Sequence, residues 1–176
     1  MALTFEAIKN RYSTRGYTSE QLTEDELNKI ILAGLHAPTA TNRQEIRFSV
    51  IPGDNAILEE LDTAKNGGIK TPEGRPNFYC NAPVLILLSA EDGFKWSELD
   101  AGIAVQNMAL EAEELGLGSL IIGCIKDAMS GDKKDYFNKA CKIPDGYSFR
   151  IAIAVGHKAA VKAPHTFSEE KQVVYL

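Results

Sequence analysis

The segment Ala82-Pro83-Val84-Leu85-Ile86-Leu87-Leu88 constrains the fold more than any other part of the chain. From Pro83 to Leu88 it forms the longest apolar run in the sequence, far short of the roughly 20 residues that a membrane-spanning helix requires. Bounded by Asn81 and Ser89, it reads as a strand buried at the centre of a sheet. Two more segments share its apolar content, SLIIG at 119–123 and RIAIAVG at 150–156. In RFSVI, at 47–51, Phe48 and Val50 alternate with polar neighbours as strand residues do.

Helical segments fall between these strands. Thr4 is placed to cap a first helix, with Leu3 and Ile8 as its hydrophobic staple. Thr23 and Glu26 form a capping box, flanked by the staple pair Leu22 and Leu27. Leu27, Ile30, Ile31 and Leu35 then keep helical spacing until Pro38 stops the run. Asp54 is expected to cap a short helix through Leu61. Ser97 and Asp100 open a long Ala-rich helix to Leu115, with Gly116 as its C-cap, and a short helix covers Asp135 to Cys141. The Gly-, Pro- and Lys-rich stretch 66–77 reads as a mobile loop or lid. The closing VVYL is a candidate edge strand. With no repeat, low-complexity tract or linker, residues 1–176 make a single α+β domain.

Net charge of −5 argues against a broad nucleic-acid or anionic-membrane surface, since either needs a basic face. The N-terminus lacks the uninterrupted apolar core of a signal peptide. Cys80, Cys124 and Cys141 are odd in number, widely spaced and without a CxxC pair, as expected of reduced, buried thiols in a cytoplasmic protein. His36, His157 and His165 lack ligand spacing, so no metal site is expected.

Against this acidic background two polar clusters stand out, on either side of the second helix. Arg11-Tyr12-Ser13-Thr14-Arg15 places two guanidiniums and a hydroxyl within five residues, a set suited to gripping one phosphate. Ala37-Pro38-Thr39-Ala40-Thr41-Asn42-Arg43-Gln44 forms a loop able to offer backbone N–H groups and side-chain amides to a flat heterocycle. Gly116-Leu117-Gly118-Ser119 is not a dinucleotide fingerprint, because its order is helix, glycines, strand rather than strand, glycines, helix. It is either a helix C-cap leading into a strand or a place where backbone approaches a ligand ring. Lys158 and Lys162 follow the 150–156 strand.

Taken in order, these segments resemble the nitroreductase family of FMN-dependent oxidoreductases. RYSTRGY at 11–17 matches the family's RRSxRxF, and APTATNRQEI at 37–46 matches APSxxNxQPW. RFSVI, APVLI, a helix containing QNM, GLGSLIIG and AVGHKA follow in the family's order. The resemblance implies an FMN-dependent NAD(P)H oxidoreductase of nitroreductase-like fold. That fold is a mostly antiparallel sheet flanked by helices, with a C-terminal extension reaching a partner subunit. It assigns the FMN phosphate to Arg11, Ser13 and Arg15, with Tyr12 acting through its backbone and either Lys158 or Lys162 assisting. It sets Pro38, Thr39, Ala40, Asn42 and Gln44 beside the flavin of the partner in a homodimer. Backbone near the redox edge comes from Leu117, Gly118, Ser119 and Leu120. No side chain is required as a general base, because the flavin carries the chemistry. NADH or NADPH would deliver hydride, and a nitroaromatic, quinone or similar small acceptor would then take its place in a ping-pong cycle. The chain departs from the pattern at Tyr12, Glu45 and Ile46. A flavin-binding sensor or carrier without turnover, a domain that has lost FMN, and a specialised flavin dehydrogenase or reductive dehalogenase are the alternatives.

Overall fold

A four-stranded sheet, covered by helices on both faces, organises the computed structural model, which describes residues 3–164, 166–167 and 172–176. In chain order the elements are α1 (Leu3–Asn10), α2 (Glu24–Leu35), β1 (Arg47–Pro52), α3 (Ala56–Lys65), β2 (Val84–Glu91), α4 (Ser97–Glu114), β3 (Leu117–Ile122), α5 (Lys126–Ser130), α6 (Lys134–Ala140) and β4 (Tyr147–His157). The strand order is β1-β2-β4-β3, and every pairing is antiparallel.

β2 is apolar on both sides because both sides are covered. Leu85 and Leu87 join the core built with α3, α5 and α6, while Ile86 and Leu88 join the one built with α2 and α4. This explains a continuous apolar run in an antiparallel sheet, where alternation is the commoner pattern. Each fully buried side chain of this kind contributes about 1.5–3 kcal/mol. Close packing on the α2–α4 side depends on Gly34, where a Cβ would lie 2.9 Å from Met108 and Phe48.

Both halves of the capping box at Thr23 and Glu26 are formed. Gly116 follows α4 at a φ of +77°, the left-handed conformation that ends a helix and favours glycine. Other boundaries differ from expectation. Thr4 lies inside α1, and the Leu3 half of its staple falls outside the described side chains. The cap of α3 is Asn55, whose side chain accepts the Ile57 N–H at 3.1 Å, and the helix runs on to Lys65.

Val50 is exposed, because β1 is an edge strand whose cover is partial. Residues 173–176 are exposed and belong to no strand. Cys141 is buried and its thiol is pushed up to about 11 by that burial, whereas Cys124 is exposed and Cys80 half-buried. The stretch 66–77 is a loop, anchored at its base by the buried Asp62. That carboxylate accepts the Phe78 N–H at 2.9 Å and the Thr71 hydroxyl. Among the described residues no group of His, Cys, Asp and Glu is arranged to hold a metal, and His165 lies outside them. Among the described residues no helix is long and apolar enough to cross a membrane.

Candidate functional site

After α1 the chain is strapped across one end of the sheet. Ser13 bridges Ser119 in β3, and the Thr14 N–H donates to the Ser119 carbonyl at 2.8 Å. Thr18 N–H donates to the His157 carbonyl at 3.0 Å, Ala159 N–H to the Gly16 carbonyl at 3.0 Å, and the Tyr12 hydroxyl to the Ala160 carbonyl. Arg11, Tyr12, Ser13, Arg15, Lys158 and the 117–120 stretch are thereby gathered into one neighbourhood. Arg11 and Ser13 are half-buried and Arg15 is exposed. Neither guanidinium pairs with a carboxylate among the described residues. Lys158 differs, because its amine donates to Glu113 at 2.7 Å with both side chains largely buried, and it lies over the Tyr12 ring. Its charge is already neutralised by that pair. Lys162 sits in the exposed stretch 161–164.

Gly118 has a packing reason to be glycine. A Cβ there would lie 2.7 Å from both Cγ2 and Oγ1 of Thr14, which is itself buried. The close approach of the strap to β3 therefore depends on the missing side chain. Gly118→Ala is expected to cost about 1–3 kcal/mol, the range for overpacking a core, and to lower the melting temperature by several degrees. Thermal unfolding of the two proteins checks this, and an unchanged midpoint would show that the strap tolerates the methyl. The 117–120 stretch is buried throughout, with β4 on one side and the strap on the other.

The second cluster lies at the other end of the sheet, just before Arg47, which pairs with Ser89 near the end of β2. Pro38 and Thr39 lead into a single 3-10 turn at Ala40–Asn42. Thr41, Asn42 and Gln44 all have positive φ, at 57°, 55° and 54°. For residues other than glycine this conformation costs about 1 kcal/mol or more each, and such strain gathers at functional loops. Local bonds hold it. Thr39 Oγ1 accepts the Gln44 N–H at 3.0 Å, and Gln44 Nε2 donates to Asn42 Oδ1 at 3.1 Å. Ala40 N–H donates to Oδ2 of the buried Asp100 at 3.0 Å, tying the loop to the first turn of α4. Asn42 and Gln44 are exposed.

The two clusters stand apart within one chain. Asp100, which holds the loop, and Glu113, which holds Lys158, lie near opposite ends of α4. At a rise of about 1.5 Å per residue they are about 20 Å apart along the helix axis. Asp100 was legible only as a helix-opening residue; its hold on Ala40 arises from tertiary packing across 60 positions.

Residues 8–157 match the model of the Nitroreductase family. The chain belongs to this family. A Bacillus subtilis protein named FMN reductase (NADPH) is 26% identical over 98% of the chain and 72% of its own length. The chain spans between 53% and 69% of the length of several other relatives. Among solved structures, a nitroreductase with bound FMN from Desulfitobacterium hafniense superposes with a TM-score of 0.86 at 27% identity, covering 100% of this chain and 99% of that one. One from Bacteroides fragilis, also with bound FMN, gives 0.85 at 25% identity, covering 98% of each. The nitroreductase fold, α+β with an antiparallel sheet, is thus shared along the whole chain.

Proposed function

We propose that this chain is an FMN-dependent NAD(P)H oxidoreductase that reduces nitroaromatic, quinone or similar acceptors by a ping-pong mechanism, as a homodimer with two flavin sites at its interface. The observation that carries the reading is the pair of guanidiniums, Arg11 and Arg15, without a carboxylate partner among the described residues and held beside Ser13 on a strap fixed to β3 and β4. Such a fork suits the terminal phosphate of FMN, whose charge Arg recognises through paired hydrogen bonds. When bound, FMN supplies the electron-carrying chemistry, and the protein supplies position and access.

Arg11, Ser13 and Arg15 would hold the phosphate, with Tyr12 fixing the strap, and Lys162, or Lys158 if released from Glu113, adding positive charge. Pro38, Thr39, Ala40, Asn42 and Gln44 would face the flavin of the partner, and Leu117, Gly118, Ser119 and Leu120 would lie on its protein side. The separation of the two clusters along α4 supports sites shared between two chains. Exposed apolar side chains support the same reading: Phe5 and Ile8 on α1, Leu32 and Leu35 on α2, Leu99 and Ile103 on α4. α4 packs against both other helices, and exposed apolar surface of this extent marks association. The apolar tail 173–176 would wrap the neighbour.

The test is an absorbance spectrum of the purified protein, followed by anaerobic titration with NADH and with NADPH. Flavin bands that bleach with one equivalent of nicotinamide and return on adding a quinone are the expected result. Bands that bleach without steady turnover would instead indicate a sensor or carrier, and a protein with no affinity for added FMN would refute the proposal.

A further inference from the structure

Immediately after the loop, Glu45 is 4% exposed, and both of its carboxylate oxygens are buried without a hydrogen-bond partner. An ionised carboxylate left in that state is strongly disfavoured. Asp100, 3% exposed, interacts with it through charge and carboxyl and already accepts the Ala40 N–H through Oδ2. Burial pushes the Glu45 carboxyl above the usual carboxylate range, and the charge and carboxyl of Asp100 add to that, outweighing the opposite pull of its own backbone N–H and of the Arg43 charge. Two cations flank it on its own stretch, and both are otherwise engaged. Arg43 pairs with Glu91 and lies over Phe94, while Arg47 donates to the Gln44 and Ile46 carbonyls at 3.0 and 3.3 Å. The charged group facing Glu45 from α4 is Asp100. A neutral carboxyl has an O–H to donate where an ionised one has none. One proton shared between the two acids would give one of the two orphaned oxygens a partner and remove the repulsion of like charges.

We propose that Glu45 is a positioning residue of the flavin site, sharing a proton with Asp100 and so pinning the 38–44 loop to the start of α4. The family pattern has proline at this position, which has no side-chain donor, so the clamp is a feature of this chain's own sequence. That the loop serves a flavin rests on the function proposed above, but the clamp itself does not. Because the folded state holds this proton more tightly than the unfolded state, the clamp is closed below the raised folded value. It weakens as pH rises through that value, when two negative charges come to face each other in a buried place.

The experiment is amide hydrogen exchange at Ala40 from pH 5 to pH 9, corrected for intrinsic pH dependence, in flavin-free and FMN-supplemented protein. In the parent chain, protection should fall by about tenfold or more across the titration, the scale of one hydrogen bond to a charged group. In Glu45→Gln, whose amide is a permanent donor of the same shape, protection should stay flat. Flat protection in the parent, or an unchanged titration in Glu45→Gln, would overturn the clamp. Should the variant fold poorly, the side-chain carboxyl carbon of Glu45 in the parent decides. An NMR inflection above the usual carboxylate range supports the clamp, and one within it refutes it. Protection that titrates in a protein with no affinity for FMN would keep the clamp and refute the flavin reading. Tight FMN binding with no titration at Ala40 would do the reverse.

Discussion

Replacing Arg11 and Arg15 together by alanine is expected to weaken FMN binding by at least about a hundredfold. Hydrogen bonds to charged groups contribute about 1.5–3 kcal/mol each, and the loss of two corresponds to roughly two to four orders of magnitude in dissociation constant. The effect should be confined to the phosphate. Riboflavin, which shares the ring but lacks that group, should bind the parent and the double variant alike. Neither guanidinium is engaged by a carboxylate among the described residues, and the strap is held by backbone bonds from Thr14, Thr18 and Ala159. The double variant should therefore melt close to the parent temperature. Fluorescence titration with the two flavins measures the outcome, and native FMN affinity in the double variant would show that the phosphate is held elsewhere.

The Arg11–Arg15 cluster, proposed to hold the phosphate, was legible as a cluster because its residues lie within five positions, so local spacing already brings them together. The central strand was legible because its apolar run is complete, and α2 because its capping box is a local device. Part of what escaped depends on contacts distant in sequence, and part on local choices with no decisive signal. Val50 carries a strand pattern, but its exposure follows from β1 being at the sheet edge. Asn55 rather than Asp54 caps α3, a choice between adjacent residues with near-equal capping ability. The short α5 has no apolar period to announce it. Gly118 offered two readings, helix-end geometry or close approach to a ligand, and the close approach found is to Thr14 of the strap. Glu45 was visible only as a departure from the family's proline. Its meaning appears only when packing sets it beside Asp100 with no partner for its oxygens.

A mixture of two defective chains is expected to recover flavin binding that neither has alone. One chain carries Arg11→Ala and Arg15→Ala, which remove the phosphate cluster; the other carries Asn42→Ala and Gln44→Ala, which remove the amides of the loop. If each site combines the cluster of one chain with the loop of its partner, both homodimers lack every intact site. A heterodimer then carries both lesions in one site and leaves the other whole. After joint unfolding and refolding, random pairing makes about half the dimers mixed, so about a quarter of all sites should bind FMN with parent affinity. Sites built within a single chain would give no such recovery, because every chain in the mixture carries one lesion. The physical basis is the placement of the two clusters near opposite ends of α4, anchored at Asp100 and Glu113, on a helix whose outer face leaves Leu99 and Ile103 exposed and Gly102 open to close approach. Association should also strengthen flavin binding, and flavin should strengthen association, because each favours the same assembled state. Full flavin occupancy in a monomer at high dilution, or a mixture that stays without bound flavin, would rule out the shared site.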